Sequence, residues 1–369
     1  MPRQRKPENK GLPARWQRHH GAYYYFVPPG LESYWDGKRK FRLGTNLPEA
    51  YRAWADRLGT LDKAGNIGEL LDRYALEVIP AKAPTTQSQN QIAVARLRKT
   101  FAAWPLTAVE PHHIYTYVDA RTKTVKSADG QPLKVKARTA AMREIEVLSH
   151  AFTKAVEWGY LKRHPFAREV RLPGEKPRDR YVEDWEIEAC LSIDSKRKKG
   201  SVLAAQAYVR LKLLTGMARG DLLRLPVPDF TSEGIEIQRH KTAKSTAKRT
   251  IYLWTDALRT AVHDAIAARP NSRSSWLFCN RRGECYINEE TGRAGGWASL
   301  WRGFMDRVMA ETEVKVRFNE HDIRAKVASD AETVEHASAL LSHANISTTK
   351  RIYRRKAERV IPLDPKDYK

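Results

Sequence analysis

The stretch LPGEKPRDRY, residues 172–181, breaks this chain in two. Two prolines, a glycine and mixed charges in succession suit neither a helix nor a strand, so whatever folds before it and after it does so as separate bodies. Just before the break lies the strongest helix pattern in the sequence, Ala140–Gly159. Its Ile145, Leu148, Phe152, Ala155 and Val156 share one stripe, and Gly159 suits the position after a helix end. That stripe is a core face. The chain has 369 residues, a length that predicts two or three domains.

Upstream of that helix the patterns change twice. Residues 1–20 are basic, contain proline and lack apolar periodicity, which predicts a flexible arm. GAYYYFVPPG and KRKFRLG are short strand signals, with Tyr23, Tyr24 and Tyr25 expected to alternate between inside and outside. LPEAYRAWADRL is a helix, started by Pro48 and Glu49 and carrying Ala50, Trp54 and Leu58 on one face. Residues 21–60 therefore form a small β–α module. From Ile67 to about Arg168 the signals are helical, with Leu70, Leu71, Tyr74 and Val78 on one side of the first helix. Ser88–Phe101 and Pro111–Thr122 are further helices, and a basic hairpin or loop turns at Asp129-Gly130. Beyond the break come helices at Glu183–Ile193, Val202–Leu214, Thr255–Arg269 and Trp297–Ala310. Two strands, GIEIQRH and RTIYLW, flank a Lys-rich turn between them.

Charge narrows the function. There are 66 Lys and Arg against 43 Asp and Glu, a net +23. Such an excess favours a polyanionic partner, nucleic acid before an anionic membrane surface. Three cysteines (Cys190, Cys279, Cys285) make no disulfide framework and fit a reducing compartment. A signal peptide and a membrane span are both unexpected, since no long apolar run occurs.

Chemistry concentrates in one stretch, NEHDIRAKVASDAETVEHASALLSHANISTTKRIYRR, from Asn319 to Arg355. His321 and Arg324 are three apart and share a helix face. His343 follows, then Tyr353 inside a basic run. Clusters of metal-ligand type and a Gly-rich phosphate loop are missing from the stretch. What remains is a set of oxyanion-binding side chains beside a phenol, which suits attack on a phosphodiester. A phenol has an ordinary pKa near 10, and neighbouring cations favour its ionised form.

The last 190 or so residues resemble the tyrosine recombinase (phage integrase) family, in motif order as well as content. LLTGMARGDLLRL resembles the family's first Arg motif, and RHKTAKSTAKRTIYL its Lys-bearing β-hairpin. EHDIRAKVASD resembles its His-x-x-Arg motif. LLSHANISTTKRIYRR looks like its second His and nucleophilic Tyr. The resemblance implies a mostly α, multidomain fold. Residues 1–60 would be an arm-type DNA-binding module, 67–170 a helical core-binding (SAM-like) domain, and 178–369 an α-rich catalytic domain with a small β-hairpin. Tyr353 would be the nucleophile, Arg324 the second Arg, His321 a hydrogen-bond donor or general base, and His343 the second phosphate-binding His. Lys241 would protonate the leaving 5′ oxygen, with Lys244 and Lys248 as rivals.

Three departures stand out. Ser342 occupies a place where the family usually has Gly. His343 and Tyr353 are ten apart, about one more than the commonest family spacing. The family's first Arg falls two residues after Thr-Gly and three before an acid, and here that place is Ala218. Arg219 comes one residue late, about 100° round a helix, and is the candidate for the role, with Asp221 supporting local structure.

On this resemblance the chain is a site-specific DNA recombinase that cleaves and rejoins DNA through a 3′-phosphotyrosine, integrating or excising a mobile element or prophage. The chemistry calls for no metal, nucleotide or other cofactor. The implied partners are double-stranded attachment sites and three further copies of the chain in a homotetramer, with room for an excisionase and a host DNA-bending protein, in the cytoplasm of a bacterial host. Two other readings compete. One is a non-cleaving DNA-binding relic, motivated by Ala218. The other is a type IB topoisomerase-like enzyme, against which the extra basic N-terminal module argues.

Overall fold

The computed structural model of the protein describes Asn9 and residues 12–13, 15–30, 32–59, 64–126, 131–174, 178–196, 200–243, 246 and 248–356. The start of the basic arm, the Asp129-Gly130 turn, Lys244, and the tail of residues 361–369 with Tyr368 lie outside them. The chain forms two compact units. One comprises residues 1–175 with 290–292, the other 176–289 with 293–369.

The first unit opens with an antiparallel sheet of β1 (Trp16–His19), β2 (Ala22–Phe26) and β3 (Lys40–Gly44), in that order. His20 and Gly21 both take positive φ, 47° and 73°, the pairing that a tight two-residue hairpin turn requires. Of the three tyrosines in β2, Tyr25 is buried, while Tyr23 and Tyr24 are half-buried beside a register shift. Tyr25 packs on the fully buried Trp35, ring centroids 4.6 Å apart. Helix α1 (Leu47–Gly59) begins where the Asn46 side chain accepts the Glu49 N–H. Then come α2 (Ile67–Arg73), α3 (Pro84–Phe101), α4 (Pro111–Ala120), the β4 (Thr122–Lys126) and β5 (Pro132–Lys136) hairpin, and α5 (Arg138–Glu157). Helix α3 starts four residues before its expected beginning, because Pro84 sits in the first turn, where a missing N–H costs nothing. Gly159, at φ +77°, takes the left-handed position after α5. Residues 1–60 and 67–170 share one continuous core, in which Trp16, Tyr25, Trp35 and Leu43 join Leu70, Leu71, Leu97, Phe101, Leu148 and Phe152.

The second unit is built around α7 (Ser201–Thr215), which is preceded by α6 (Asp184–Leu191). Helix α7 is buried over most of its circumference, as expected of a central helix apolar on all sides. After it come α8 (Arg219–Leu222), the antiparallel pair β6 (Gly234–Gln238) and β7 (Arg249–Leu253), α9 (Asp256–Ala268) and α10 (Gly295–Glu311). The chain continues through α11 (Glu320–Asp330), α12 (Val334–Leu340), the single turn α13 (Ile346–Thr348) and a π-helical turn, Thr349–Tyr353. Tyr208 of α7 and Trp297 of α10 anchor the main core, their rings 4.6 Å apart. A smaller cluster of Ala325, Ala328, Ala337 and Leu341 seats Tyr353. Alanines there let three short helices approach closely around one large ring. No helix among the described residues is long and apolar enough to cross a membrane.

Candidate active site

Helix α11 begins with a reciprocal cap. Asn319 Oδ1 accepts the N–H groups of His321 and Asp322, and Asp322 Oδ2 accepts that of Asn319. Three helix-end donors are satisfied at once, and the first turn is fixed. The turn aims His321 at the site, and Arg324 follows on the same face. His321 Nε2 lies 3.2 Å from the Tyr353 hydroxyl, and the Arg324 guanidinium carbon is 5.5 Å from the Tyr353 ring centre.

Arg324 is buried and holds two helix ends together. It donates to Gly216 O, after α7, and to Leu341 O, after α12, at 2.7 Å for the latter. Gly216 is left-handed there, at φ +63°, and a Cβ on it would come within 3.0 Å of Leu341 and 3.2 Å of Val327. Glycine is therefore required both by conformation and by space. Arg324 also meets His343 Nε2 at 3.1 Å. A guanidinium has no lone pair to offer, so Nε2 accepts and the His343 proton sits on Nδ1, donated to Thr349 Oγ1 at 2.8 Å. Burial first, then Arg324, Arg239 and Lys248, lower the His343 pKa to about 3. Loss of solvent and then the Arg355 charge lower that of His321 to about 4. Both imidazoles are thus neutral at pH 7, within a strongly cationic surround.

His343 is placed by the end of α12. Its N–H bonds to Ser338 O and that of Ser342 to Ala339 O, the paired bonds of a helix that stops on a left-handed residue. That residue is Ser342, at φ +50°. The family's usual Gly would meet no penalty in this conformation, whereas Ser pays one. Ser342 offsets it through its Oγ, 2.8 Å from Thr250 Oγ1. Alternate residues of β7 and its lead-in all reach this loop. Tyr252 donates to Leu340 O, Thr250 pairs with Ser342, and Lys248 donates to His343 O at 2.7 Å. The hairpin is thereby laced to the His343 loop with the period of a strand. The additional residue before Tyr353 is wound into the π turn, in which Arg354 N bonds to Thr349 O five residues back.

Behind Tyr353, Ser329 Oγ donates to Tyr353 O and accepts the Arg355 N–H. Arg355 is almost wholly buried, donating to Asp322 Oδ1 at 2.7 Å and to Arg180 O, and approaching His321 Nδ1 at 3.4 Å. Arg178 forks onto the other side of Asp322 at 3.1 and 2.9 Å. A buried carboxylate between two guanidinium groups fixes the register of the segment that carries the tyrosine.

The sequence-expected residues fall into two sets. Tyr353, His321, Arg324 and His343 are brought together. Lys241 is exposed on the turn after β6, while Lys248 is tied to His343. Ala218 caps α8, and Arg219 is half exposed with its guanidinium 3.4 Å from Glu320 Oε2. The other Glu320 oxygen accepts the Trp297 indole N–H. Asp221 Oδ1 accepts the His240 N–H at 2.9 Å and so anchors the end of β6. Sequence reasoning missed Arg355, Asp322, Thr349 and the buried Lys212. Lys212 donates to Met217 O at 2.7 Å, and burial lowers its pKa to about 7. It also missed Arg239, which the alternation of Ile235, Ile237 and Arg239 along β6 could have revealed.

Residues 181–359 match the phage integrase family. Among solved structures the chain is similar to a lambda integrase dimer bound to a COC′ core site, with 17% identity, TM-score 0.59, 96% of this chain and 99% of that one covered. It is also similar to a lambda integrase tetramer bound to a Holliday junction, with 16% identity, TM-score 0.55, 92% and 98% covered. A third is the Tn1549 transposon integrase in complex with circular intermediate DNA, with 12% identity, TM-score 0.57, 80% and 97% covered. At these identities the likeness is one of fold. No curated protein matches the chain by sequence. By their family match and the order of their site motifs, residues 181–359 belong to the tyrosine recombinases, the phage integrase family.

Proposed function

We propose that this protein breaks and rejoins DNA itself, with Tyr353 as nucleophile. The observation that carries the reading is the contact between the Tyr353 hydroxyl and His321 Nε2, beside buried Arg324. Arg355 donates toward His321 Nδ1, so the neutral ring carries its proton on Nε2 and donates it to the tyrosyl oxygen. That bond strengthens as the oxygen gains charge. The Tyr353 oxygen attacks the scissile phosphorus and its proton leaves to solvent. The P–O5′ bond breaks, a 3′-phosphotyrosine forms, and Lys241, exposed on the hairpin turn, gives a proton to the leaving 5′ oxygen. Attack by a 5′-hydroxyl of a partner duplex reverses each step. The phosphodiester energy is kept in the covalent intermediate, so the balance calls for neither ATP nor a metal ion.

The lambda integrase tetramer on a Holliday junction supports four protomers working on two duplexes here as well. Residues 1–60 would serve as the arm-type module and 67–170 as the core-binding domain, in an element that integrates into and leaves a bacterial chromosome in the host cytoplasm. The test is covalent capture. The full-length protein in chelator is mixed with a pool of nicked duplexes of randomised sequence, and protein–DNA adducts are isolated and sequenced. An adduct with a common recognition sequence, lost in Tyr353→Phe, is the expected result. Sequence-specific binding without any adduct would mean a DNA-binding relic instead. Relaxation of supercoiled DNA without sequence preference would point to a topoisomerase-like enzyme.

A further inference from the structure

Ala218 leaves the site one arginine short, and Arg219 does not turn to fill the place. It is half exposed and faces Glu320, which Trp297 holds from the other side. Another arginine points inward instead. In β6, Ile235 and Ile237 are buried while Glu236 and Gln238 are exposed, and Arg239 is the next inward position. Its side chain is 14% exposed, and its Nε–H has no hydrogen-bond partner. Asp221 Oδ2 is 3.8 Å from that Nε, while Asp221 Oδ1 takes the His240 N–H. One carboxylate thus fixes the strand end and the direction of Arg239. The Arg239 charge reaches both Arg324 and His343. Arg324 also has a buried Nε–H without a partner. Two shielded guanidinium groups within reach of each other's charge repel unless an anion lies between them.

We propose that Arg239 is a catalytic residue of this site, gripping a non-bridging oxygen of the scissile phosphate from the hairpin in place of the arginine absent at 218. Arg324 grips the other oxygen, and forked donors on both sides match a phosphodiester. The inference rests on the recombinase reading. Asp221, the acid of the first-Arg motif, then orients an arginine from a different element.

The test uses the full-length protein and a nicked duplex carrying the sequence captured above. Adduct formation is timed for the unmodified protein, Arg239→Ala, Arg219→Ala, Ala218→Arg and the double variant Arg239→Ala/Ala218→Arg. Noncovalent binding to the same duplex is measured alongside. Arg239→Ala is expected to slow the adduct by about 100-fold or more while still binding the duplex, and Ala218→Arg to restore much of the rate in that background. Arg219→Ala is expected to stay within a few-fold of the unmodified protein. If Arg239→Ala does not fold, Arg239→Lys keeps the charge, loses the fork and carries the same comparison. An unchanged rate in the Arg239 variants overturns the proposal, as does a loss confined to Arg219→Ala. An adduct from Ala218→Arg alone overturns it too, while leaving the fold's chemistry intact. No adduct from any version would remove the recombinase reading and this inference together.

Discussion

His343 is held neutral by burial, and His321, exposed as a residue, by desolvation of its ring beside Tyr353; the guanidinium groups around both add to this, with a consequence for pH. An unfolded histidine binds its proton below about pH 6.5, whereas these two resist protonation until about pH 4 and pH 3 in the folded chain. Between those limits the unfolded state binds more protons, so stability falls as pH falls from 6.5 and is unaffected by these groups above it. Denaturant titrations at pH 7 and pH 5 check this. The unmodified protein is expected to lose more stability between the two than His343→Gln does, and equal losses would contradict the account. The same neutrality leaves His343 Nε2 free to accept from Arg324, which keeps that guanidinium in place between two helix ends. At this scale His321, Arg324, His343 and Tyr353 were readable in the sequence because they stand in the order of a known family's motifs. Arg355 and Asp322 were not, because their meeting is made by tertiary folding across 33 residues.

Among the elements, the β6–β7 hairpin and the end of α12 share one device, in which every second residue of β7 bonds to the His343 loop. The left-handed Ser342 costs about 1–2 kcal/mol relative to glycine, and its bond to Thr250 returns about 0.5–1.5 kcal/mol. Ser342→Gly should therefore be near neutral in the unmodified protein and stabilising by about 1 kcal/mol in a Thr250→Val background. A double-mutant cycle measured by denaturant unfolding gives the difference directly. Equal effects in both backgrounds would mean that the Oγ bond contributes nothing. Helices were legible because α5, α9 and α10 each carry a clear apolar stripe, and their observed ends lie within a few residues of those expected. The π turn before Tyr353 was legible only as an odd spacing. Local sequence does not say whether an additional residue loops out or is wound in. The alanine seat of Tyr353 decides that here, by leaving room for a wider turn.

For the whole molecule the dominant quantity is charge. A net +23 predicts affinity that depends steeply on salt, since each neutralised phosphate releases counterions. With about six or more phosphates contacted, binding to the captured duplex should weaken roughly a thousand-fold or more between 50 and 200 mM salt. Fluorescence anisotropy over that range measures the slope, and a shallow slope would contradict a backbone-gripping mode. The sequence divides at the 172–181 break, and so does the structure. The shared core of residues 1–60 and 67–170 could not be read beforehand, because Trp16, Tyr25 and Trp35 carry no mark of which neighbours they will meet. On the proposed reading, these features, from the salt slope to the neutral histidines, serve one event at the Tyr353 oxygen. The direct measurement is to digest the trapped adduct with nuclease and protease and locate the nucleotide by mass spectrometry. The account predicts a single linkage, from the Tyr353 oxygen to a 3′-phosphate. A nucleotide on any other residue, or a linkage to a 5′-phosphate, would contradict it.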